Sequence, residues 1–183
     1  MNKLLLGLRK KLFHIVLCLF FLAIFYFDIY PQFITLTLCF LFLLINLIRK
    51  ELLKYKKPFR LIKQITHLEK YRFDNLGLGA LYMSLGYFVT SWLFPKAMIV
   101  AIVVLLVVDV SGSITREYKL RLHNRLLFSY VVVFILCYCL IPSAMKLAII
   151  SLLMPIFEEC DVKLGDYTLN DNFYIPLLVG LFA

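Results

Sequence analysis

The acidic residues are the first candidates for chemistry in this sequence. Asp109 stands at the end of the apolar run MIVAIVVLLVV and is followed by the small and polar stretch VSGSIT. An ionised carboxylate at bilayer depth costs about 3 kcal/mol, so it is usually retained for a function or a partner. A second acidic group lies near the C-terminus and consists of Glu158, Glu159, Asp161, Asp166 and Asp171. Whether these acids meet Asp109 depends on the elements that carry them.

Composition predicts an integral membrane protein. Of the 183 residues, 63% are hydrophobic and 17 are phenylalanine, and the mean hydropathy is +0.91. Residues 1–183 are expected to form a single domain, because no polar stretch is long enough to fold separately. The five cysteines lie mostly in apolar segments and support neither a disulfide framework nor a zinc site. The N-terminal apolar stretch has no small-residue cleavage site and is interpreted as a retained first helix.

Hydropathy predicts an all-α bundle of about six transmembrane helices. A crossing needs about 20 mainly apolar residues. The candidate spans are 12–29, 32–48, 76–94, 96–114, 125–141 and 143–158. Pro31, Pro95 and Pro142 stand at the three shortest turns, where a missing N–H is harmless. The last apolar piece, FYIPLLVGLFA, reaches only about 16 Å as a helix and is expected to be a half-span.

The basic residues predict the orientation of these spans. Of the 20 Lys and Arg residues, 18 fall on one side of the predicted membrane, leaving only Lys96 and Lys146 on the other. This asymmetry places the N-terminus and the long connections in the cytoplasm. The segment at 49–75 alternates cations with apolar residues and predicts an interfacial amphipathic helix broken near Pro58. Because topology explains the net charge of +9, a nucleic-acid partner is not expected.

The topology brings the candidate residues to one membrane face. Asp109 lies near the inner end of span four, Glu158 and Glu159 end span six on the same side, and His14 begins span one there. Lys10 and Lys11 precede His14 by four and three residues and share its helical face. Carboxylates that hold Mg²⁺ beside Lys and Arg side chains suit a metal-bound polyphosphate.

Each of these residues also has a structural interpretation. Asp109 could be hydrogen-bonded to Ser111 or to a neighbouring helix. The charges of Glu158 and Glu159 at a helix end normally meet solvent, and inner-face cations serve topology and anionic lipid first. An interfacial histidine such as His14 is common.

Four stretches, taken in order along nearly the whole chain, resemble one family. They are Lys10-Lys11-Leu12-Phe13-His14; Gly79-Ala80-Leu81-Tyr82 with Leu85-Gly86 and Leu93-Phe94-Pro95; Asp109; and Glu158 or Glu159 followed by Asp171-Asn172 and Ile175-Pro176-Leu177. They are similar to the motifs of the CTP-dependent polyprenol and diacylglycerol kinases, the group that includes dolichol kinase and phytol kinase. The chain departs from the family where Arg116 stands in place of a glycine, and where Asn124-Arg125-Leu126-Leu127-Phe128-Ser129 replaces Lys-Ser-x-Glu-Gly-Ser.

The resemblance implies phosphoryl transfer from CTP to the hydroxyl of a membrane lipid alcohol. Asp109 would hold Mg²⁺ or take the hydroxyl proton, and Glu158 or Glu159 with Asp171 would complete the metal shell. His14 would belong to the catalytic group. The nucleotide would be held by these residues: Lys10, Lys11, Arg116, Lys119, Arg125 and Asn172. The alternatives are a phosphatidate cytidylyltransferase-like enzyme and a non-enzymatic membrane protein, either a degenerate relative or a small transporter or scaffold.

Overall fold

The computed structural model describes residues 3–54, 76–160, 163–164 and 167–183. Within these ranges the chain is almost entirely helical. The helices are α1 (Lys3–Tyr26), α2 (Pro31–Lys54), α3 (Leu76–Leu93), α4 (Met98–Glu117), α5 (Leu122–Cys137), α6 (Ala144–Glu159) and α7 (Asp171–Phe182). A 3₁₀ turn at Pro95–Ala97 precedes α4, and the strands β1 (Lys163–Leu164) and β2 (Tyr167–Thr168) pair antiparallel between α6 and α7.

The first six helices lie where the six spans were predicted, and local sequence explains several of their ends. Pro31 is the first residue of α2 and Pro95 the first of the 3₁₀ turn, positions where the missing N–H is tolerated. Ser143 caps α6, accepting a hydrogen bond from the backbone N–H of Lys146, and Asn170 caps α7 in the same way. Helix α1 begins at Lys3, before the predicted first span at residue 12, so the helix extends beyond its apolar part.

In the part of the chain that the structure describes, two stretches are long and apolar enough to cross a membrane. They are Pro31–Ile48 and Pro95–Glu117, identified by length and composition. The first coincides with most of α2, and its surface is mainly exposed. The second includes α4, whose surface is largely buried against other helices. These two stretches suggest membrane association, although a buried core helix can have the same composition.

The predicted amphipathic segment at 49–75 falls mostly outside the described residues. Its beginning continues α2 as far as Lys54. The predicted break at Pro58 lies in the part that the structure does not describe.

Helix α4 lies at the centre of the bundle and contacts α1, α5, α6 and α7. Its apolar residues are buried on several sides, including Ala101, Ile102 and Val104, which are fully buried. Helix α2 packs mainly on α3, and α3 packs on α7. The rings of Phe21 on α1 and Tyr87 on α3 meet edge to face, with their centroids 4.9 Å apart. The described helices therefore share one apolar core.

Helix α7 is the apolar piece predicted as a half-span, and it packs inside the bundle. Its residues Ile175 and Val179 are fully buried. It approaches α3 so closely that a Cβ on Gly86 would lie 2.8 Å from the backbone oxygens of both Asn172 and Phe173. This contact fixes the N-terminal turn of α7 against α3.

Candidate active site at one end of the bundle

The C-terminal half of α4 carries the centre of the candidate site. Asp109, Gly112 and Arg116 follow one another at spacings of three and four residues and therefore share one face of the helix. The Asp109 side chain is 13% exposed, so its carboxylate lies mostly inside the bundle. Ser111, on an adjacent face, donates a hydrogen bond of 2.9 Å to Ser129 on α5 and sets the register of the two helices.

His14 on α1 contacts Asp109. Its Nδ1 lies 3.3 Å from Asp109 Oδ2, and the two side chains are 21% and 13% exposed. The other ring nitrogen, Nε2, faces α3, where a Cβ built on Gly79 would lie 3.5 Å from it and 3.7 Å from Nδ2 of Asn172. Helices α1, α3 and α7 therefore meet beside Asp109, at distances that leave room for a Cβ at position 79.

A second group joins α4 and α5 to the end of α6 through ion pairs. Arg116 donates to Glu158 Oε1 over 2.6 Å and to Glu159 Oε1 over 3.3 Å. Arg125 on α5 donates to Glu159 Oε2. The Glu158 side chain is only 3% exposed, whereas Arg116 is 40% exposed. The two glutamates are thus held by two guanidinium groups at the rim of the bundle.

Gly112 provides the space for the Glu158 carboxylate. A Cβ at position 112 would lie 2.6 Å from Oε2, 2.8 Å from Oε1 and 2.9 Å from Cδ of Glu158. Distances this short require the carboxylate to move. A residue with any side chain at position 112 would therefore displace Glu158 from Arg116.

The beginning of α7 completes the group. The backbone N–H of Asn172 donates to Asp171 Oδ1 over 2.8 Å and to Asn170 Oδ1 over 3.0 Å. Asn172 is buried, and Asp171 lies close enough to Glu158 for the two charges to interact. A negative side chain in the first turn also suits the positive end of a helix dipole.

The tyrosine at the fourth position of α7 ties this helix to α6. The Tyr174 hydroxyl donates to the backbone carbonyl of Phe157 over 2.6 Å, and Cys160 O lies 3.3 Å away. The carbonyl of Phe157 directly precedes Glu158 and Glu159. This contact therefore orients the end of α6 on which both glutamates lie.

The structure brings most of the predicted site residues to one end of the bundle. These are His14, Asp109, Arg116, Arg125, Glu158, Glu159, Asp171 and Asn172. Lys119 lies in the α4–α5 connection with an exposed side chain, and its backbone has a φ of 53°. Lys10 and Lys11 belong to α1, but their side chains fall outside the described part of the structure.

Sequence reasoning missed two aspects of this group. It assigned Arg116 and Arg125 to phosphate, whereas in the structure both are paired with glutamates. It also gave no role to Tyr174, although a tyrosine among the apolar residues of this last helix is a polar group that needs a hydrogen-bond partner when buried.

The predicted magnesium ligands are Asp109, Glu158 and Asp171. Among the described residues there is no group of three or more His, Cys, Asp and Glu side chains arranged to hold a metal ion. Glu158 is paired instead with Arg116 through Oε1, so a guanidinium group takes one of its two oxygens. In this arrangement the described residues do not form a magnesium shell.

Comparisons with known proteins leave the chain without an assigned family. None of the protein-family models, curated proteins or solved structures compared with it matches. The function is therefore argued from the chemistry of the clustered residues, together with the motif resemblance.

Proposed function

We propose that this protein is an integral membrane phosphotransferase that moves the γ-phosphoryl group of CTP to the hydroxyl of a lipid alcohol. The acceptor would be a polyprenol, a phytol-like alcohol or a diacylglycerol. The contact between His14 and Asp109, on the helix face that also carries Arg116, carries the proposal. It combines a pair of groups able to take a proton with cations able to stabilise a phosphate.

The apolar surface of the described helices supports insertion in a bilayer with about six spans and a cytoplasmic site. On α2, Phe33 and Phe40 are 71% and 64% exposed, and Leu44 on the same helix is 54% exposed. Soluble monomers rarely expose contiguous apolar patches of more than a few hundred Å². A hydrocarbon environment around the bundle would remove this cost, and a lipid acceptor would reach the site sideways from the same bilayer.

The His14–Asp109 pair would remove the proton from the acceptor hydroxyl. A carboxylate beside an imidazole orients the ring and stabilises it once it is protonated, and Asp109 itself can also take a proton. As the proton leaves, the hydroxyl oxygen forms a bond to the γ-phosphorus. The bond from the γ-phosphorus to the bridging oxygen breaks, and CDP leaves with that oxygen.

The two arginines would stabilise the charge on the transferring phosphate. Guanidinium groups bind phosphate oxygens in a bidentate manner, and phosphoryl transfer depends mainly on positioning and charge neutralisation. Asn172, buried where α3 meets α7, would orient an acid or bind the cytosine edge.

One observation favours a non-enzymatic role instead. Arg116 and Arg125 already neutralise Glu158 and Glu159, which is what an acid pair retained only for packing would require. A degenerate relative of the kinases would keep these ion pairs without turning over a nucleotide. The assay below separates this alternative from the kinase and from cytidylyl transfer.

The proposal is tested with purified protein in lipid nanodiscs, CTP labelled at either the γ- or the α-phosphate, Mg²⁺ and a panel of lipid alcohols and phosphatidate. Wild type should transfer γ-label to an alcohol, and Asp109→Asn should lower the rate by about 10²-fold or more, the range of general acid–base catalysis. Asp28→Asn is the matched control, because Asp28 lies between α1 and α2, remote in sequence from the other acids, with a φ of 51° that asparagine tolerates.

Two outcomes exclude the kinase, and a third excludes only the role of Asp109. Transfer of α-label to phosphatidate would identify a cytidylyltransferase. Absence of transfer to every acceptor by a protein that remains folded would support the non-enzymatic role. Equal loss of activity in Asp109→Asn and Asp28→Asn would remove Asp109 from the chemistry.

A further inference from the structure

A cavity lies at the opposite end of the helices that carry the candidate site. It has a volume of about 560 Å³ and is bounded by the α3–α4 connection, the α5–α6 connection and the end of α7. Its walls are mainly apolar and include Phe94, Val100, Leu140 and Ile141. Helix α4 has 20 residues, so this cavity lies about 30 Å along the axis from Arg116. It is therefore separate from the candidate active site.

Two lysines line this cavity. Lys96 lies in the turn before α4 and Lys146 in the first turn of α6, and both side chains are exposed. Lys146 donates one hydrogen bond to the main-chain oxygen of Ala183, which leaves it two further donors. Among the described residues no Asp or Glu side chain pairs with either lysine, and the lining residues include no Asp or Glu.

Helix electrostatics does not explain why Lys96 and Lys146 occur at these positions. The first turn of a helix carries partial positive charge, so a lysine there is slightly destabilising. The positive-inside pattern also predicts few cations on this side, yet Lys96 and Lys146 are the two exceptions among the 20 Lys and Arg residues. Both occur at the same cavity, and a site for an anion with an apolar body explains this arrangement.

We propose that the cavity binds a single-chain anionic amphiphile. The head group, a carboxylate or a phosphate monoester, lies between Lys96 and Lys146, and the hydrocarbon tail enters the apolar space. The volume lies within the 300–1,000 Å³ of typical small-molecule sites. This site is independent of the lipid-kinase proposal, because it uses other residues at the other end of the bundle.

Trp92 is a built-in reporter for this binding. It is the single tryptophan of the chain and lies on α3 immediately before Leu93 and Phe94, which line the cavity. Bromine atoms on a bound tail quench tryptophan fluorescence at short range. Three probes with one tail suffice: dibromostearic acid, dibromostearyl phosphate and the uncharged dibromostearyl alcohol, each added to the purified protein in detergent micelles.

The two anions should quench Trp92 saturably at concentrations at which the alcohol gives only the background of micelle partitioning. Lys96→Gln/Lys146→Gln should weaken the apparent affinity by about tenfold or more, since a charge-assisted hydrogen bond contributes at least that factor. Lys96→Arg/Lys146→Arg should retain binding. The control is Arg121→Gln, which removes an exposed cation outside the cavity and should leave quenching unchanged.

The three probes and the variants give distinguishable results. Quenching by the acid alone identifies a carboxylate ligand, and quenching by the phosphate alone identifies a phosphate monoester. Equal quenching by the alcohol and the anions would overturn the proposal, because it would show partitioning without recognition of charge. Undiminished quenching in Lys96→Gln/Lys146→Gln would overturn it as well.

Discussion

Replacing Gly86 with alanine should destabilise the protein, whereas replacing Gly79 on the same helix should stabilise it. A Cβ at position 86 would lie 2.8 Å from the backbone oxygens of Asn172 and Phe173, and backbone atoms of a packed helix cannot move individually. A Cβ at position 79 would meet only side-chain atoms, at 3.5 and 3.7 Å, which are ordinary contacts.

Two opposing effects set the change in the free energy of unfolding for each variant. Alanine is favoured over glycine inside a helix by about 0.5–1 kcal/mol, and this gain applies at both positions. Overpacking costs about 1–3 kcal/mol and applies only at position 86, where α7 must shift away from α3. We therefore expect a net loss of about 1–2 kcal/mol for Gly86→Ala and a gain below about 1 kcal/mol for Gly79→Ala.

The buried cysteines allow a direct measurement. Cys39 and Cys137 are free and buried, so a thiol-reactive fluorogenic dye reports their exposure as the protein unfolds in detergent. One kcal/mol corresponds to about 2–4 °C in the midpoint for a domain of this size. Gly86→Ala should lower the midpoint by several degrees while Gly79→Ala raises it. Shifts of the same sign and size for both variants would show that the close α3–α7 contact does not limit stability.

Two further changes test the contacts that shape the site, with the same dye assay. Arg116→Met should cost about 1–2 kcal/mol, between the values for exposed and buried ion pairs, because it leaves the nearly buried Glu158 without this partner. Adding Glu158→Gln to Arg116→Met should restore most of the lost stability, because no buried charge is then left without a partner. Additive losses would indicate that the two residues do not couple. The control Lys119→Gln removes an exposed cation and should stay within about 0.5 kcal/mol of wild type. Tyr174→Phe should cost about 1 kcal/mol by removing the hydrogen bond to Phe157, and an unchanged midpoint would contradict that role.

Hydropathy located the helices because each apolar run must form its backbone hydrogen bonds within itself. It located only the apolar part of α1, since a helix that is already formed continues through cationic residues as far as Lys3. It also identified α7 as a short apolar helix without indicating where it packs. That position depends on Gly86, and a glycine in a sequence does not reveal which backbone will approach it.

Charge asymmetry predicted that the acids and His14 would share one end of the bundle, and the contact between His14 and Asp109 joins two of these residues. The ion pairs were beyond this reasoning, because topology fixes the end of a helix and not its rotation. The rotation of α4 is set by contacts such as Ser111 with Ser129. Only this rotation determines that Arg116 faces the end of α6.

Arg116 stands where the resembling kinases have a glycine, and its ion pairs bear on which glutamate, Glu158 or Glu159, belongs to the candidate site. Glu159 lies between Arg116 and Arg125 and has a guanidinium group on each oxygen. Among the described residues Glu158 pairs only with Arg116, through a single oxygen, and its carboxylate lies over Gly112 on the helix that carries Asp109. The Arg116 side chain is 40% exposed, so it can rotate into solvent more easily than Arg125 can separate from Glu159. Glu158 is therefore the glutamate better placed to act together with Asp109, and Arg116 is the residue that would have to release it.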